Sequence, residues 1–383
     1  MIERLPGYVG QAALLGLVAW LAWRGGANFI GNARALGISA GFGFLRSEAG
    51  FEIAQSMIAF GPASSYLDAV IVATLNTLLV VALAGAFSTA IGLLIAFGRL
   101  APQPLVRAAS AAYVEVFRNI PLLLQIFFWY FSAMALLPGV GESLQLGPVL
   151  LNNRGLFLPR LEATPAGSAA LLAALAALVA LAVAARRAIA ARRFAWRGRR
   201  APAGIAIAVA VVMAALCFAP LLLMHGQLGL GRPQAEGFNV SGGIALLPEL
   251  IALTLGLSIY NGAFLAEIFR AGILSVPRGQ LEAAATVGLA GVRAAWLITL
   301  PQALRVALPA AAGQYQTLAK ASSLAAAIGY PDIMQIVGGT VLSQTSQALE
   351  AMTLVVLLYA AINLAIALAA NVANRALLAH ERR

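Results

Sequence analysis

The 383-residue chain is 61% hydrophobic and only 10% charged, with a formal net charge of +11. So little charge, against roughly 25% in soluble domains, excludes a water-soluble enzyme and places the chain in a bilayer, where apolar runs must be helical to satisfy their own backbone polar groups. The basic residues are almost all Arg in short connections, which orients a chain against anionic lipid and does not make a nucleic-acid surface; the single Cys217 excludes an internal disulfide or thiolate cluster, and the distant His225 and His380 point to no metal site.

In chain order, apolar runs predict an all-α polytopic membrane protein with eight spans, at residues 8–23, 69–98, 111–137, 168–185, 202–224, 246–266, 307–328 and 351–372. The first run follows Arg4 without a small-residue cleavage pattern and reads as a retained span. An external loop rich in glycine and aromatic residues follows; it either lies at the headgroup interface or stays loosely structured. Asn, Gly and Pro punctuate two further external loops, 138–167 and 226–245. Between the Ala- and Leu-dominated fourth and fifth spans, the run from Arg186 to Arg200 carries seven arginines and reads as a positive-inside anchor, with docking as the alternative. Removing 138–245 leaves six spans with every later segment on its original side, so this stretch is read as a two-helix insertion.

With the N terminus inside, eighteen of the 25 basic residues face the cytoplasm and six face out, which predicts cytoplasmic N and C termini. The expected divisions are a first helix with a periplasmic loop (1–68), a transmembrane domain (69–373) and a cytoplasmic tail (374–383).

The segment EAAATVGLAGVRAAWLITLPQALRVALP, from Glu282 to Pro309, is too interrupted to be a span. It predicts a short helix over 279–288, a bend at Gly288 or Gly291, and a second helical piece through Trp296 that re-enters the membrane near Pro301. A helix with Glu282 on one side and small residues beside it suits a groove on a soluble partner.

Polar residues in or near the spans are candidates for a gate or pathway. Glu115 and Arg118 share a helix face, with Asn119 and Pro121 next in the chain; as a pair they either shape an inner gate or anchor the interface. Glu267 and Arg270 repeat the same spacing. Asn76, Thr77, Asn261, Gln314, Gln316, Lys320, Ser322 and Ser323 either line a pathway or hydrogen-bond internally. Lys320 meets a substrate carboxylate or an acidic partner, or it snorkels toward the outer surface. No GxxxxGK[ST] phosphate loop is present, so ATP hydrolysis is not expected of this chain. Two other classes stay open: an ion-coupled secondary transporter using Glu115 or Glu267, and a non-transporting membrane assembly subunit.

The run Glu282-Ala283-Ala284, then Gly288, then Ile298-Thr299-Leu300-Pro301, resembles the EAA signature of importer permeases in the ATP-binding-cassette (ABC) transporters. LNTLLVV at 75–81, YVEVFRNIPLLLQIFFWYF at 113–131, NNRGLFLP at 152–159, AEIFRAGI at 266–273 and KASSLAAAIGYPDI at 320–333 are similar to the general L-amino-acid permeases of the polar-amino-acid importer group, the histidine/glutamine-type permeases. Together they cover most of residues 70–373, and GFGFL at 41–45 and PASSY at 62–66 resemble that group's external region. The resemblance implies a type I ABC importer transmembrane domain with eight helices in a bacterial inner membrane. It implies an ATPase dimer that uses ATP and Mg, none of it bound by this chain. It also implies a second, distinct permease, a periplasmic amino-acid-binding protein and an L-amino-acid substrate. Glu282, Ala283, Ala284, Gly288, Leu300 and Pro301 would then form a cytoplasmic coupling loop. Glu282 would either bond the ATPase or hold the loop's own fold, and Gly288 would permit the bend or simply cap the helix. Ala321 stands where many relatives carry Asn after the lysine.

Overall fold

The computed structural model describes residues 5–35, 41–163, 228–237, 239–289 and 291–379. The predicted spans at 168–185 and 202–224 and the arginine run from 186 to 200 lie outside the described residues. Two compact units are present: Met1–Ala135 with Leu247–Arg383, and Leu136–Leu246.

The first unit contains helices α1 (Leu5–Ala35), α2 (Tyr66–Leu100), α3 (Pro104–Asn119), α4 (Leu122–Leu136), α5 (Pro248–Leu274), α6 (Arg278–Thr286), α7 (Gly291–Ile328), α8 (333–345) and α9 (Ala348–Ala379). Among the described residues, α2, α5, α7 and α9 are long and apolar enough to cross a membrane, and α3 with α4 makes a fifth span only if the pair, bent by 101°, counts as one. Among the described residues, four or five helices therefore replace the six spans expected there, out of eight in all. The apolar run at 8–23 is short of the ~20 residues a crossing needs, and its helix continues into Arg24, Gly25 and Gly26. The predicted span 111–137 is broken because Pro121 has no N–H to donate and pushes Ile120 out of helical geometry, to φ −85° and ψ 127°. Gln125 stabilises that break: its Nε2 donates to the carbonyls of Phe117 (2.9 Å) and Ile120 (3.0 Å), which the interrupted helix leaves without partners. Glu115, Arg118 and Asn119 consequently sit on α3, ahead of the break.

Helix α2 starts in a capping box: the Ser65 hydroxyl accepts the Asp68 N–H, and the Asp68 carboxylate accepts the Ser65 N–H. It then packs along α5. Ser258 Oγ donates to the Ala84 carbonyl at 3.5 Å and Asn261 Nδ2 to Ser88 Oγ at 3.4 Å, while a Cβ on Gly92 would stand 2.8 Å from Leu265 Cβ. The partner numbers rise together, so the two helices run parallel. Helix α7 runs opposite to α5: Gln314 Nε2 donates to Asn261 Oδ1 at 2.5 Å, while further along α5 a Cβ on Gly272 would meet the Ala303 carbonyl oxygen at 2.8 Å and Ala307 Cβ at 3.0 Å. Helix α9 turns back again, with Gln316 Nε2 donating to the Asn363 carbonyl at 3.1 Å. Thus the ends of α2 and α5, the start of α7 and the end of α9 share one end of the unit.

At the opposite end, residues 41–65 form a packed cap. Phe44 and Ala49 join Tyr66, Ile333, Ile336, Val337, Val341, Ala351 and Val355 in one buried cluster. The Gly41 N–H donates to Glu350 Oε1 (2.6 Å), and the Tyr66 hydroxyl donates to Gln344 Oε1 (2.9 Å).

The second unit adds β structure that an all-α assignment does not contain. Strands β1 (Leu144–Leu146), β2 (Val149–Asn152), β3 (Gly155–Leu158), β4 (Arg160–Ala163), β5 (Leu228–Gly231), β6 (Gln234–Glu236), β7 (Asn239–Ser241) and β8 (Ile244–Leu246) form an antiparallel sheet β1-β2-β3-β8 and the hairpins β4-β5 and β6-β7. The punctuation read as loop is turn chemistry: Gly147, at φ +63°, turns β1 into β2, and Asn152 Oδ1 accepts the Arg154 N–H at 2.9 Å in the β2–β3 turn.

The α2–α5 seam yields a direct test. Gly92→Ala should lower the thermal stability of the detergent-solubilised protein, by about 1–3 kcal/mol from overpacking. Gly85→Ala, on the same helix but facing open space, should not.

Candidate functional site

The segment between α5 and α7 folds as a helix, a turn and a widened re-entry. Helix α6 ends in a Schellman motif: the Gly288 N–H donates to the Ala285 carbonyl (3.1 Å) and the Leu289 N–H to the Ala284 carbonyl (2.9 Å), with Gly288 left-handed at φ +78°. Bend and cap are therefore the same feature. Glu282 and Ala283 are exposed and Ala284 is buried. Leu281, Val287, Val292, Trp296 and Leu297 are exposed around them.

Helix α7 opens with one turn, Gly291–Ala294, then a π-helical turn, Ala295–Thr299, against which α6 packs. The wide turn has a cause in the sequence: Pro301 cannot donate to the Leu297 carbonyl, and its ring crowds that carbonyl, so the regular α-helix resumes only from Leu300. Two turns later, Ala303 and Ala307 lie against Gly272 of α5.

Beside this junction lies a charged cluster. Arg270 donates to Glu267 Oε2 through Nε (3.1 Å) and Nη2 (2.8 Å), and Arg99 of α2 reaches Glu267 Oε1 at 3.4 Å. The Arg118 Cζ of α3 stands 4.7 Å from the centroid of the Phe264 ring, one helical turn before Glu267. Glu115 accepts from Asn119 Nδ2 at 3.1 Å, so the two i,i+3 pairs read from the sequence differ: Glu267–Arg270 forms an ion pair, whereas Glu115 bonds Asn119 and Arg118 turns to Phe264. The ends of α2, α3 and α5 are tied together here.

A polar belt crosses the helices at mid-length. Ser88, Asn261 and Gln314 form a chain from α2 through α5 to α7, and the hydroxyls of Thr89 and Tyr315 meet at 2.6 Å. Lys320 is exposed; the Ser322 and Ser323 hydroxyls donate to the carbonyls of Ala319 and Lys320, both at 2.8 Å, so these two serines satisfy their own helix end.

Residues 188–379 match the family model of the binding-protein-dependent transport system inner membrane components. The chain is 42% identical over 372 residues to the putative amino-acid ABC transporter permease protein YhdX of Escherichia coli K12, covering 97% of this chain and 92% of the relative. It is 41% identical to the general L-amino acid transport system permease protein AapQ of Rhizobium johnstonii, covering 96% and 90%. To the glutamate/glutamine/aspartate/asparagine transport system permease protein BztB of Rhodobacter capsulatus it is 35% identical, covering 96% and 92%. The chain belongs to this family of transport permeases.

Sequence reasoning on the permease passed over Ser88, Tyr315, Tyr330, Asp332 and Tyr359. Ser88 and Tyr315 are single polar residues whose partners lie 173 and 226 positions away. Asp332 did carry a signal, as an acid in the short linker between two apolar segments of a chain with only 14 acidic residues.

The capping geometry predicts an asymmetry within the loop. Gly288→Ala must place a Cβ residue at positive φ and should cost about 1–2 kcal/mol, whereas Gly279→Ala, inside α6 with open space around it, should be neutral or stabilising. Thermal unfolding of the purified permease reads both; equal effects would contradict the cap.

Proposed function

We propose that this permease imports L-amino acids across a bacterial inner membrane and is driven through the 278–305 loop by a separate ATPase dimer. It is a membrane permease subunit of an ABC-type amino-acid importer, and ATP is hydrolysed by the partner subunit. The named relatives are amino-acid permeases, and their coverage of nearly the whole chain supports the substrate class. A second, distinct permease and a periplasmic amino-acid-binding protein complete the assembly, with both termini in the cytoplasm as the arginine distribution implies.

The observation that carries the coupling role is the position of α6 between two spans in mutual contact. Its exposed Glu282 and apolar neighbours offer a charged and apolar surface to a groove, while its buried side rests on the π turn of α7. A push on α6 passes through that turn to Ala303 and Ala307, which bear on Gly272, and the Glu267 cluster carries it on to α2 and α3. Glu282, Ala283, Ala284, Gly288, Leu300 and Pro301 make the transmitting loop, while Arg118, Glu267 and Arg270 hold the inner end that opens and closes. Asn261 contributes to the belt that separates that end from the outer one. Ion-coupled transport through Glu115 or Glu267 is disfavoured: Glu267 is held by two arginines, and Glu115 lies exposed on α3.

In proteoliposomes holding the full complex, Glu282→Ala should reduce ATP-dependent uptake of labelled L-amino acids by about tenfold or more, the loss of a charge-assisted bond, with normal membrane insertion. Wild-type uptake should persist when ionophores collapse ion gradients. Unchanged uptake by the variant, or abolition of wild-type uptake by ionophores, would contradict this reading.

A further inference from the structure

Far from the coupling loop, the link from α7 to α8 is pinned on two sides. Gly329, at φ +76°, ends α7 and turns the chain into Tyr330-Pro331-Asp332. Helix α2 holds one side: Asn76 Nδ2 donates to the Pro331 carbonyl (3.0 Å), Thr77 Oγ1 accepts the Ile333 N–H (3.1 Å), and the Tyr330 hydroxyl donates to the Asn76 carbonyl (3.3 Å). The same Asn76 amide also donates to the Gln55 carbonyl of the cap at 2.8 Å. Asp332 holds the other side: Oδ1 accepts the Gln335 N–H (2.8 Å), capping α8, and Oδ2 accepts the Tyr359 hydroxyl of α9 (2.9 Å).

An N-cap alone does not account for a carboxyl here. Asp332 is 1% exposed and makes no ion pair among the described residues, yet Ser would cap α8 with a single oxygen and without placing an ionisable group inside the protein. Of its two oxygens, Oδ1 serves the cap and Oδ2 adds a polar tie from the start of α8 to α9, beside their apolar packing. On the proposed reading, α2 and α7 are the helices set moving from the other end.

We propose that Asp332 is a positioning residue for transport: its carboxyl latches the 329–335 turn to α9 while Asn76 and Thr77 hold that turn to α2, so that the outer ends of these helices move as one body. This rests on the importer reading. The titratable groups facing the carboxyl are Tyr330 on the turn and Tyr359 on α9, both bearing neutral hydroxyls; α2 contributes Asn76 and Thr77. Burial pushes the Asp332 carboxyl from 3.8 up to about 6, against the lowering pull of the Gln335 and Tyr359 bonds. The protonated, buried carboxyl therefore stabilises the fold fully below the ordinary carboxylate range, and that contribution is lost as pH rises through about 6, while the bonds from Gln335 and Tyr359 favour the ionised form and offset part of the loss.

Asp332→Asn separates latch from charge, since its amide oxygen can accept from Gln335 and its NH2 can donate to the Tyr359 hydroxyl. In the reconstituted complex, Asp332→Ala should lower kcat by about tenfold, with KM changed by less than about twofold, and Asp332→Asn should restore most of the rate. In thermal unfolding, wild type should lose stability relative to Asp332→Asn as pH rises from 3.8 to about 6, with a constant gap above. Wild-type kcat in Asp332→Ala, an effect confined to KM, or a rate in Asp332→Asn no better than in Asp332→Ala would overturn the latch. If wild type shows no ATP-dependent amino-acid uptake, the importer reading fails, and thermal unfolding still decides whether the latch exists, since Asp332→Ala should then unfold below Asp332→Asn at acid and neutral pH alike.

Discussion

The close approach of α2 and α5 is the constraint on which the helical unit depends. Lipid tails are as apolar as Leu or Val, so hydrocarbon supplies no hydrophobic drive to bring two helices together; contact must come from tight packing and hydrogen bonds. Gly92 and Gly262 supply the packing, each lying where a Cβ would collide with the other helix, and Ser88 with Asn261 supplies the bond. Because Asn261 also accepts from Gln314, the same seam fixes the depth of α7, and through Gln316 and Asn363 it sets α9. A shift of α5 along α2 would break each of these partnerships together.

The two ends of this bundle are built differently, as the proposed division between a driven end and a responding end requires. At the α6 end the connections are short and adopt special geometries: a left-handed glycine closes α6, a π turn opens α7, and Gly272 lets α7 bear on α5. Charge holds that end together, in partly exposed pairs that bulk water and salt weaken. At the other end, apolar and aromatic packing dominates, with Phe44 and Tyr66 edge to face at 6.0 Å over the buried cluster that includes α8. Pairs that loosen readily suit an end that opens, and a packed cap suits one that carries its shape through the cycle.

Much of this was legible in the sequence because its signals were local. Spans expected at 69–98 and 351–372 are Tyr66–Leu100 and Ala348–Ala379, since continuous apolarity needs no partner to be recognised. The 279–288 helix and its Gly288 bend were likewise visible, because a glycine after an alanine-rich turn carries its cap chemistry with it. What hydropathy hid was geometry: 111–137 is apolar enough to read as one span, yet Pro121 splits it. The strands of the second unit escaped because both faces of segments such as Val149–Asn152 are apolar apart from Asn152, leaving no polar alternation to count. The Glu267 cluster was only half legible, since Arg270 lies three residues away but Arg99 comes from a helix 168 positions earlier. Asp332 lies within the 320–333 motif but carries no local sign of a partner, because Tyr359, whose hydroxyl it accepts, meets it only through tertiary structure.

The side of the membrane on which α6 lies decides whether it can couple to a motor, and α6 must face the cytoplasm for this account to hold. Replacing Gly279, which lies on α6 with open space around it, by cysteine in a functional complex and labelling with a membrane-impermeant thiol reagent reads that side directly. The account predicts labelling in inside-out vesicles stripped of the ATPase, protection when the ATPase is bound, and none from the periplasmic face of intact cells. Labelling only from the periplasmic face would contradict it.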